Sequence, residues 1–397
     1  MGSAGDDAPL EVMTRLLRNR LNEKVHFTVL ARHQNKQFEK DYRVKLVRNF
    51  EYDTKKQSAG RWLKGFNPDD SITEIERILD LYSRANLLIL GAGNFINEHC
   101  RGLLRGLLPR FYLNAWLASW VDLPVMLYGL SSSPIKSMYA RYGAQWLLKN
   151  ADAVVFREEF APKNLLTSNI KLPDYKILPD PVIGMRKLPI NEELHLYKKE
   201  NIPLISNERL AISVRYMGYL GEKKEKEYYL MVARLTETWL SNHPDGDVIF
   251  IPQFVYDVDG PIDDIGIADR IISLIQKRFH PRIFSVKGKY LPWETEAFYR
   301  KTTIALTTRL HATLFALRSG IPTIAIGYET KVKGLLKRLQ YPQKFILEVN
   351  SSPDTIFQKI NTISHSFNDV KHKIAANIKE CQQEIEEYAD VALNTMK

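Results

Sequence analysis

The chain has 397 residues, 45% hydrophobic and 26% charged, proportions that exclude a collagen-like, disordered or membrane-embedded protein. Lys and Arg outnumber Asp and Glu by 56 to 46, a surplus of 10 that favours anionic partners such as phosphorylated or carboxylated small molecules. The basic residues are dispersed, without the run or arginine-rich tail that coats nucleic acid, so no nucleic-acid partner is expected.

Two cysteines, Cys100 and Cys381, stand outside any metal-ligand spacing and indicate neither a zinc site nor a disulfide framework. They fit a reducing, cytoplasmic compartment. No apolar run approaches the roughly 18 residues of a membrane span, and MGSAGDDAPL lacks the features of a signal peptide, so at most peripheral membrane contact is expected.

This length predicts two domains of roughly 150–200 residues each. In chain order the first half predicts a helix at 9–22, a strand at 25–31, a helix at 71–83, a strand at 86–93 and a helix at 101–120. Strands at 124–130, 153–157 and 175–180 then alternate with helices at 134–149 and 161–168. The stretch 181–209, with Pro181, Pro189 and Pro203, shows no sustained periodicity and reads as a linker, with the boundary near residue 190.

The alternation restarts with strands at 210–216, 247–253, 282–288, 303–308 and 323–328. Between them lie helices at about 222–241, 266–278, 293–300, 310–319 and 331–338. A charged amphipathic helix at 369–396 is expected to pack back across both domains. The predicted fold class is therefore α/β, two Rossmann-like doubly wound domains: 1–190, 191–368, and the closing helix.

In open α/β sheets, ligands bind beyond the carboxyl ends of the strands. Four such ends carry groups suited to anions. At 307–332, TTRLHATLFALRSGIPTIAIGYETKV, a strand leads into a helix through Arg309 and His311, and Gly320 closes it. Arg309 offers a planar fork for phosphate or carboxylate, and His311 is a candidate proton donor near neutral pH. The bland alternative is a helix-start arginine with a capping histidine. Arg157 ends the strand AVVFR, where pairing with Glu158 or Glu159 competes with anion binding. Gly91, Gly93 and Asn94 follow a strand and suit an acceptor pocket, although a tight βα turn explains the glycines equally well. RGLLRGLLPRFYLNAWLASW at 101–120 suits either lipid contact or a buried helix whose arginines reach solvent.

RLHATLFALRSGIPTIAIGYETKV resembles the signature of the polysaccharide pyruvyltransferase family, with its Arg-Leu-His, Gly-Ile-Pro and Tyr-x-x-Lys-Val. LAISVRYMGY, with Arg215, and VIFIPQF followed by Asp263 and Asp264 resemble the family's preceding strands. LILGAGNF, ADAVVFREE and LPDPV extend the similarity over nearly the whole chain, with Ala161 where the family's arginine motif usually ends in serine. GSAGDDAPLEVMTRLL is similar to the family's first loop and helix, with Gly5, Asp6 and Asp7 at its Gly-Asp-Glu. The strand that precedes it in a doubly wound sheet is not in the sequence, so a truncated start is expected.

The resemblance implies a glycosyltransferase-B-like arrangement with the active site between the domains and phosphoenolpyruvate as donor. It implies Arg215, Arg309 and His311 as catalytic residues, Lys331 and Arg157 as further donor-binding residues, and Asp6, Gly91, Gly93 and Asn94 on the acceptor side. No metal or other cofactor is implied. The acceptor would be a sugar or a lipid-linked glycan, and a homo-oligomer stays open. Two rivals remain: a nucleotide-sugar glycosyltransferase of the same architecture, whose retaining members resemble one another in a Glu-x₇-Glu pair near the donor phosphates, and a non-catalytic sugar- or anion-binding protein. Glu380 and Glu387, near that spacing, fall in the last helix, away from strand ends.

Overall fold

The computed structural model of the protein describes residues 4–31, 34–49, 68–98, 107–204, 206, 208–255, 263–327 and 330–396. Two compact units result: residues 10–181 with those from Gln383 onward, and residues up to Pro9 with Val182–Gln382. The sequence reading puts the break near 190; the contacts divide between Pro181 and Val182.

The first unit takes α1 (Ala4–Arg20) from Leu10 onward, then β1 (Thr28–Ala31), α2 (Lys36–Tyr42), β2 (Lys45–Arg48), α3 (Pro68–Ser83) and β3 (Leu88–Ile96). It continues through α4 (Leu107–Ser119), β4 (Val125–Ser132), α5 (Met138–Lys149), β5 (Ala153–Phe156), α6 (Phe160–Thr167) and β6 (Lys176–Ile177). β1 and β2 pair in parallel, and β3-β4-β5-β6 form a second parallel sheet. Every residue of β4 is buried, as a parallel strand covered on both faces requires. The expected helix at 101–120 is described from Leu107; residues 101–106 lie outside the described residues.

Sequence periodicity misses α2, only 7 residues long, and β2, whose KLVR opens and closes on a basic residue and so shows no continuous apolar run. Local chemistry makes α2 instead: Asn35 caps its first turn by accepting from Phe38 N, and Arg43 ends it in the left-handed region. β3 also differs from expectation. It continues past residue 93 to Ile96, with Gly91 and Gly93 at φ 151° and 141° inside the strand. A Cβ on Gly91 would lie 2.0 Å from the Tyr128 carbonyl oxygen on β4, so this glycine permits a close strand approach rather than a βα turn.

The second unit begins with a 3₁₀ turn at Pro181–Gly184 and α7 (Ile190–Lys199). It runs on through β7 (Arg209–Ser213), α8 (Glu222–Asn242), β8 (Asp247–Phe250), α9 (Asp264–Ser273), β9 (Ile283–Ser285) and α10 (Pro292–Ala297). Then follow β10 (Ile304–Thr307), α11 (Leu310–Arg318), β11 (Thr323–Ile326), α12 (Thr330–Arg338), β12 (Ile346–Leu347) and α13 (Pro353–Ile385). α14 (Glu387–Thr395) belongs to the first unit, so the expected closing helix is two helices and starts earlier. The sheet order is β12-β11-β10-β7-β8-β9, all parallel, the order of a doubly wound nucleotide-binding-type sheet.

The expected linker therefore contains structure. α7 buries Glu193, Leu196 and Tyr197, and Arg300 holds it by pairing with Glu193 and donating to Leu188 O at 2.8 Å. Its mixed charges hid the apolar face. Arg318, within the Arg-Leu-His signature segment, pairs with Glu296 at 3.0 Å, both side chains being almost wholly buried. It also donates to the carbonyls of Val182, Ile183 and Met185, which fastens the entry of the chain to α11. Arg318 is therefore a structural cation, fully committed within the core.

Candidate functional site

The chain passes from β7 to β8 and β9 on one side, and β10 returns on the other. β7 and β10 are thus the neighbours at which the order reverses, the place where ligands collect in such sheets. Their register pairs Ser213 with Thr307, and Thr308 N donates to Ser213 O at 3.0 Å. Two residues past the paired positions stand Arg215 and Arg309. The equal spacing brings both expected cations to one end of the sheet.

The turn carrying Arg309 is fixed by threonines. Thr307 Oγ1 and Thr313 Oγ1 hydrogen-bond at 2.8 Å, Thr313 Oγ1 also donates to Arg309 O at 3.1 Å, and Thr308 Oγ1 meets Tyr228 Oη at 2.9 Å. Burial pushes the Tyr228 hydroxyl up to about 12, so it stays protonated. Arg309 occupies the N-cap of α11 but makes no side-chain cap, because its guanidinium is held by Asp264.

Asp264 is fully buried at the start of α9 and accepts from four donors. Gln253 N and Phe254 N reach its Oδ2 at 3.0 and 2.9 Å; Arg309 Nε reaches Oδ2 at 2.9 Å and Nη2 reaches Oδ1 at 2.5 Å. Burial raises the carboxyl above the ordinary aspartate value, and Arg309 and the two amides offset only part of that rise. The guanidinium also lies over the Phe254 ring, 5.2 Å from its centroid, and the side chain is 20% exposed. Held on one edge and packed on one face, Arg309 keeps Nη1 free of hydrogen bonds among the described residues. Such a fork is pre-organised for an anion.

His311 is half-buried in the first turn of α11. The first turn of α1 packs against it so closely that a Cβ on Gly5 would fall 1.8 Å from Nδ1. Arg215 is half-buried with its guanidinium 5.4 Å from the Tyr219 ring centroid. Lys331 is in the first turn of α12, but its side chain, like Tyr328 and Glu329, lies outside the described residues. Asp6 is exposed in the first turn of α1, which starts at Ala4, within what was expected to be a loop.

The remaining expected residues lie in the first unit. Arg157 is buried and ion-paired with Asp180, Nη1 to Oδ2, at 2.9 Å. Glu158 is buried beside it, accepting from Ser131 Oγ, Phe160 N and Ala161 N; burial pushes its carboxyl above the ordinary value. Asn94 Nδ2 donates to Ser133 Oγ at 2.9 Å. Gly91 is exposed and Gly93 half-buried. The contributions of Asp264 and Gly5 were not readable from spacing: the first acts on a residue 45 positions away, and the second acts by having no side chain.

The sequence model described as polysaccharide pyruvyl transferase matches residues 4–330. The chain belongs to this family. As a polysaccharide pyruvyl transferase family member it is classed with transferases, in agreement with the resemblance carried by the Arg309–His311 segment. It is 20% identical over 264 residues to the amylovoran biosynthesis protein AmsJ of Erwinia amylovora, a match covering 65% of this chain and 62% of that protein.

Solved structures share the fold. The Neisseria meningitidis UDP-GlcNAc 2-epimerase bound to UDP-GlcNAc matches with a TM-score of 0.59 and 13% identity, covering 98% of this chain and 97% of that one. Anabaena HepE in complex with UDP-glucose gives 0.61 and 9% over 99% and 97%, and a glycosyltransferase from Rickettsia africae gives 0.59 and 13% over 98% and 92%. The fold class is accordingly glycosyltransferase-B-like, with Rossmann-like α/β units, as expected from sequence. Among the described residues, no group of three or more His, Cys, Asp or Glu side chains is placed to hold a metal ion. No helix among them is long and apolar enough to cross a membrane.

Proposed function

We propose that this polysaccharide pyruvyl transferase family member moves a pyruvyl group from phosphoenolpyruvate onto a sugar of a polysaccharide or glycan precursor. One observation carries the reading: Arg215 and Arg309 stand at matched positions beyond the two strands of the switch point, with His311 in the turn that follows. Phosphoenolpyruvate bears a carboxylate and a phosphate on a three-carbon frame. A site for it needs fixed cations from separate strand ends, with Lys331 as the further phosphate partner that the resemblance implies. Arg157, ion-paired with Asp180 inside its own unit, is better explained by that pair.

In this mechanism, protonated His311 delivers its proton to the methylene carbon, which becomes the methyl group. Oxocarbenium character develops at the carbon bearing phosphate, and one sugar hydroxyl bonds there, returning its proton to the imidazole. The carbon–oxygen bond to phosphate then breaks, with the departing charge held by Arg215 and Arg309. A second hydroxyl of the same sugar closes the cyclic ketal, and its proton leaves on phosphate. In this reading the arginines neutralise the leaving group without a metal.

The test is incubation with phosphoenolpyruvate and fractionated lipid-linked and nucleotide-linked sugars. Release of free phosphate together with a sugar carrying one extra carboxylate is expected. Thermal stabilisation by UDP-sugars and none by phosphoenolpyruvate would overturn the proposal in favour of glycosyl transfer, and binding without turnover of either would favour a non-catalytic role.

A further inference from the structure

The first unit exposes an aromatic surface that neither its core nor the proposed chemistry uses. β3, β4 and β5 are neighbouring parallel strands, so the two right-handed crossovers put α4 and α5 side by side on one face of the sheet. Contact between them is close: a Cβ on Gly143 of α5 would lie 2.9 Å from Tyr112 Cε1 of α4. Along α4 and just past its end, Tyr112, Trp116 and Trp120 recur at steps of four; along α5, Tyr139, Tyr142 and Trp146 recur at steps of three and four, with Tyr112 and Trp146 half-buried against the core and the other four exposed.

Outward exposure is high for such residues. Trp116 and Trp120 are 43% and 53% exposed, and Tyr139 and Tyr142 are 47% and 66% exposed. The two indoles pack edge to face with centroids 4.7 Å apart, forming one ridge rather than scattered side chains. Neither helix contains an Asp or Glu. Between residues 107 and 149 the charged side chains are Arg110, Lys136, Arg141 and Lys149 against Asp122 alone.

We infer that this α4–α5 face docks the protein on an anionic bilayer surface. Tryptophan and tyrosine combine an apolar ring with a polar edge and settle at the headgroup boundary, while adjacent Lys and Arg are drawn to anionic headgroups. The four basic residues of this segment against Asp122, with Glu98 accepting from Lys136 N and Ser137 N at the start of α5, leave a basic surplus that favours an anionic surface over an apolar protein partner. The face seats the enzyme peripherally, since no described helix can cross the membrane. The inference stands apart from the choice of donor.

The experiment is co-sedimentation of the full chain with vesicles of phosphatidylcholine alone and of phosphatidylcholine and phosphatidylglycerol in equal parts. Strong binding to the mixed vesicles, weak binding to the neutral ones and loss at high salt are expected. Trp116→Ser with Trp120→Ser should weaken the mixed-vesicle binding by about tenfold or more, with an unchanged thermal midpoint. If that pair fails to fold, Tyr142→Ser, the most exposed of the four aromatics, carries the test, with about a threefold loss expected. No binding by the folded wild type, or equal binding by the variants, would overturn the inference. So would a concentration-dependent dimer that the variants abolish, which would assign the face to a second copy.

Discussion

Replacing Gly5 by Ala tests whether the first turn of α1 positions the proposed proton donor. The new methyl carbon would sit 1.8 Å from His311 Nδ1, 2.4 Å from Cγ and 2.8 Å from Cβ. Since His311 Cβ is itself too close, rotating the ring cannot clear the overlap. Either α1 or the imidazole must move by roughly 1.5 Å, and a misplacement of about 1 Å at reacting groups costs on the order of 10²-fold in rate. Overpacking costs about 1–3 kcal/mol, partly offset by the better helix propensity of Ala, about 1 kcal/mol.

Steady-state kinetics should show kcat reduced about 100-fold with a KM for phosphoenolpyruvate near that of the wild type, and a thermal midpoint only a few degrees lower. Gly266→Ala is the control: it lies in α9 with nothing within 4 Å of the new methyl, so it should retain full rate. His311→Ala alone should cost about 10²–10⁴ in turnover with donor binding retained. Adding Gly5→Ala to it should cost little more, because both act through one imidazole. A Gly5→Ala enzyme at full speed, or additive losses in the double variant, would refute the reasoning.

Asp264→Asn keeps the shape but removes the charge that holds Arg309; the KM for phosphoenolpyruvate should rise tenfold or more, with about 2–3 kcal/mol lost in denaturant unfolding. Unchanged KM would remove Asp264 from the positioning of Arg309. Arg318→Met leaves Glu296 buried without its partner and should cost about 3–5 kcal/mol by denaturant titration, while folded enzyme keeps its donor KM. A donor-binding defect without a stability loss would show that Arg318 serves the ligand instead. Burial raises the Glu158 carboxyl, so the folded state holds that proton to higher pH than the unfolded chain. Its stabilising contribution is full below the ordinary glutamate value and is lost as pH rises through the raised one; Glu158→Gln should flatten the thermal midpoint over that window, and an unchanged pH profile would contradict the burial effect.

Much of the alternation was legible because parallel strands covered on both faces need short continuous apolar runs, as in VMLYGLSS of β4 and AVVF of β5. Arg309 and His311 were legible for a related reason: a strand followed at once by a helix announces a strand end, and strand ends are where such sheets bind. α2 was too short to declare itself, the basic ends of KLVR hid β2, and the charges of INEELHLYKK concealed α7. The GAG segment looked like a turn because glycine is equally suited to turns and to close strand contact; only the nearness of the Tyr128 carbonyl decides for the second.

By itself, then, the sequence determined what local periodicity and composition can encode: most of the strands and helices, the α/β class, and the cation and imidazole at the end of β10. Tertiary structure decided which distant groups meet. The sheet order sets Arg215 level with Arg309, Asp264 neutralises and aims the latter, Gly5 leaves room for His311, and Glu296 turns Arg318 into a structural cation. Periodicity acts over a few residues and is written in neighbours, whereas a charge acts through space, and its partner is fixed only when the whole sheet has closed around it.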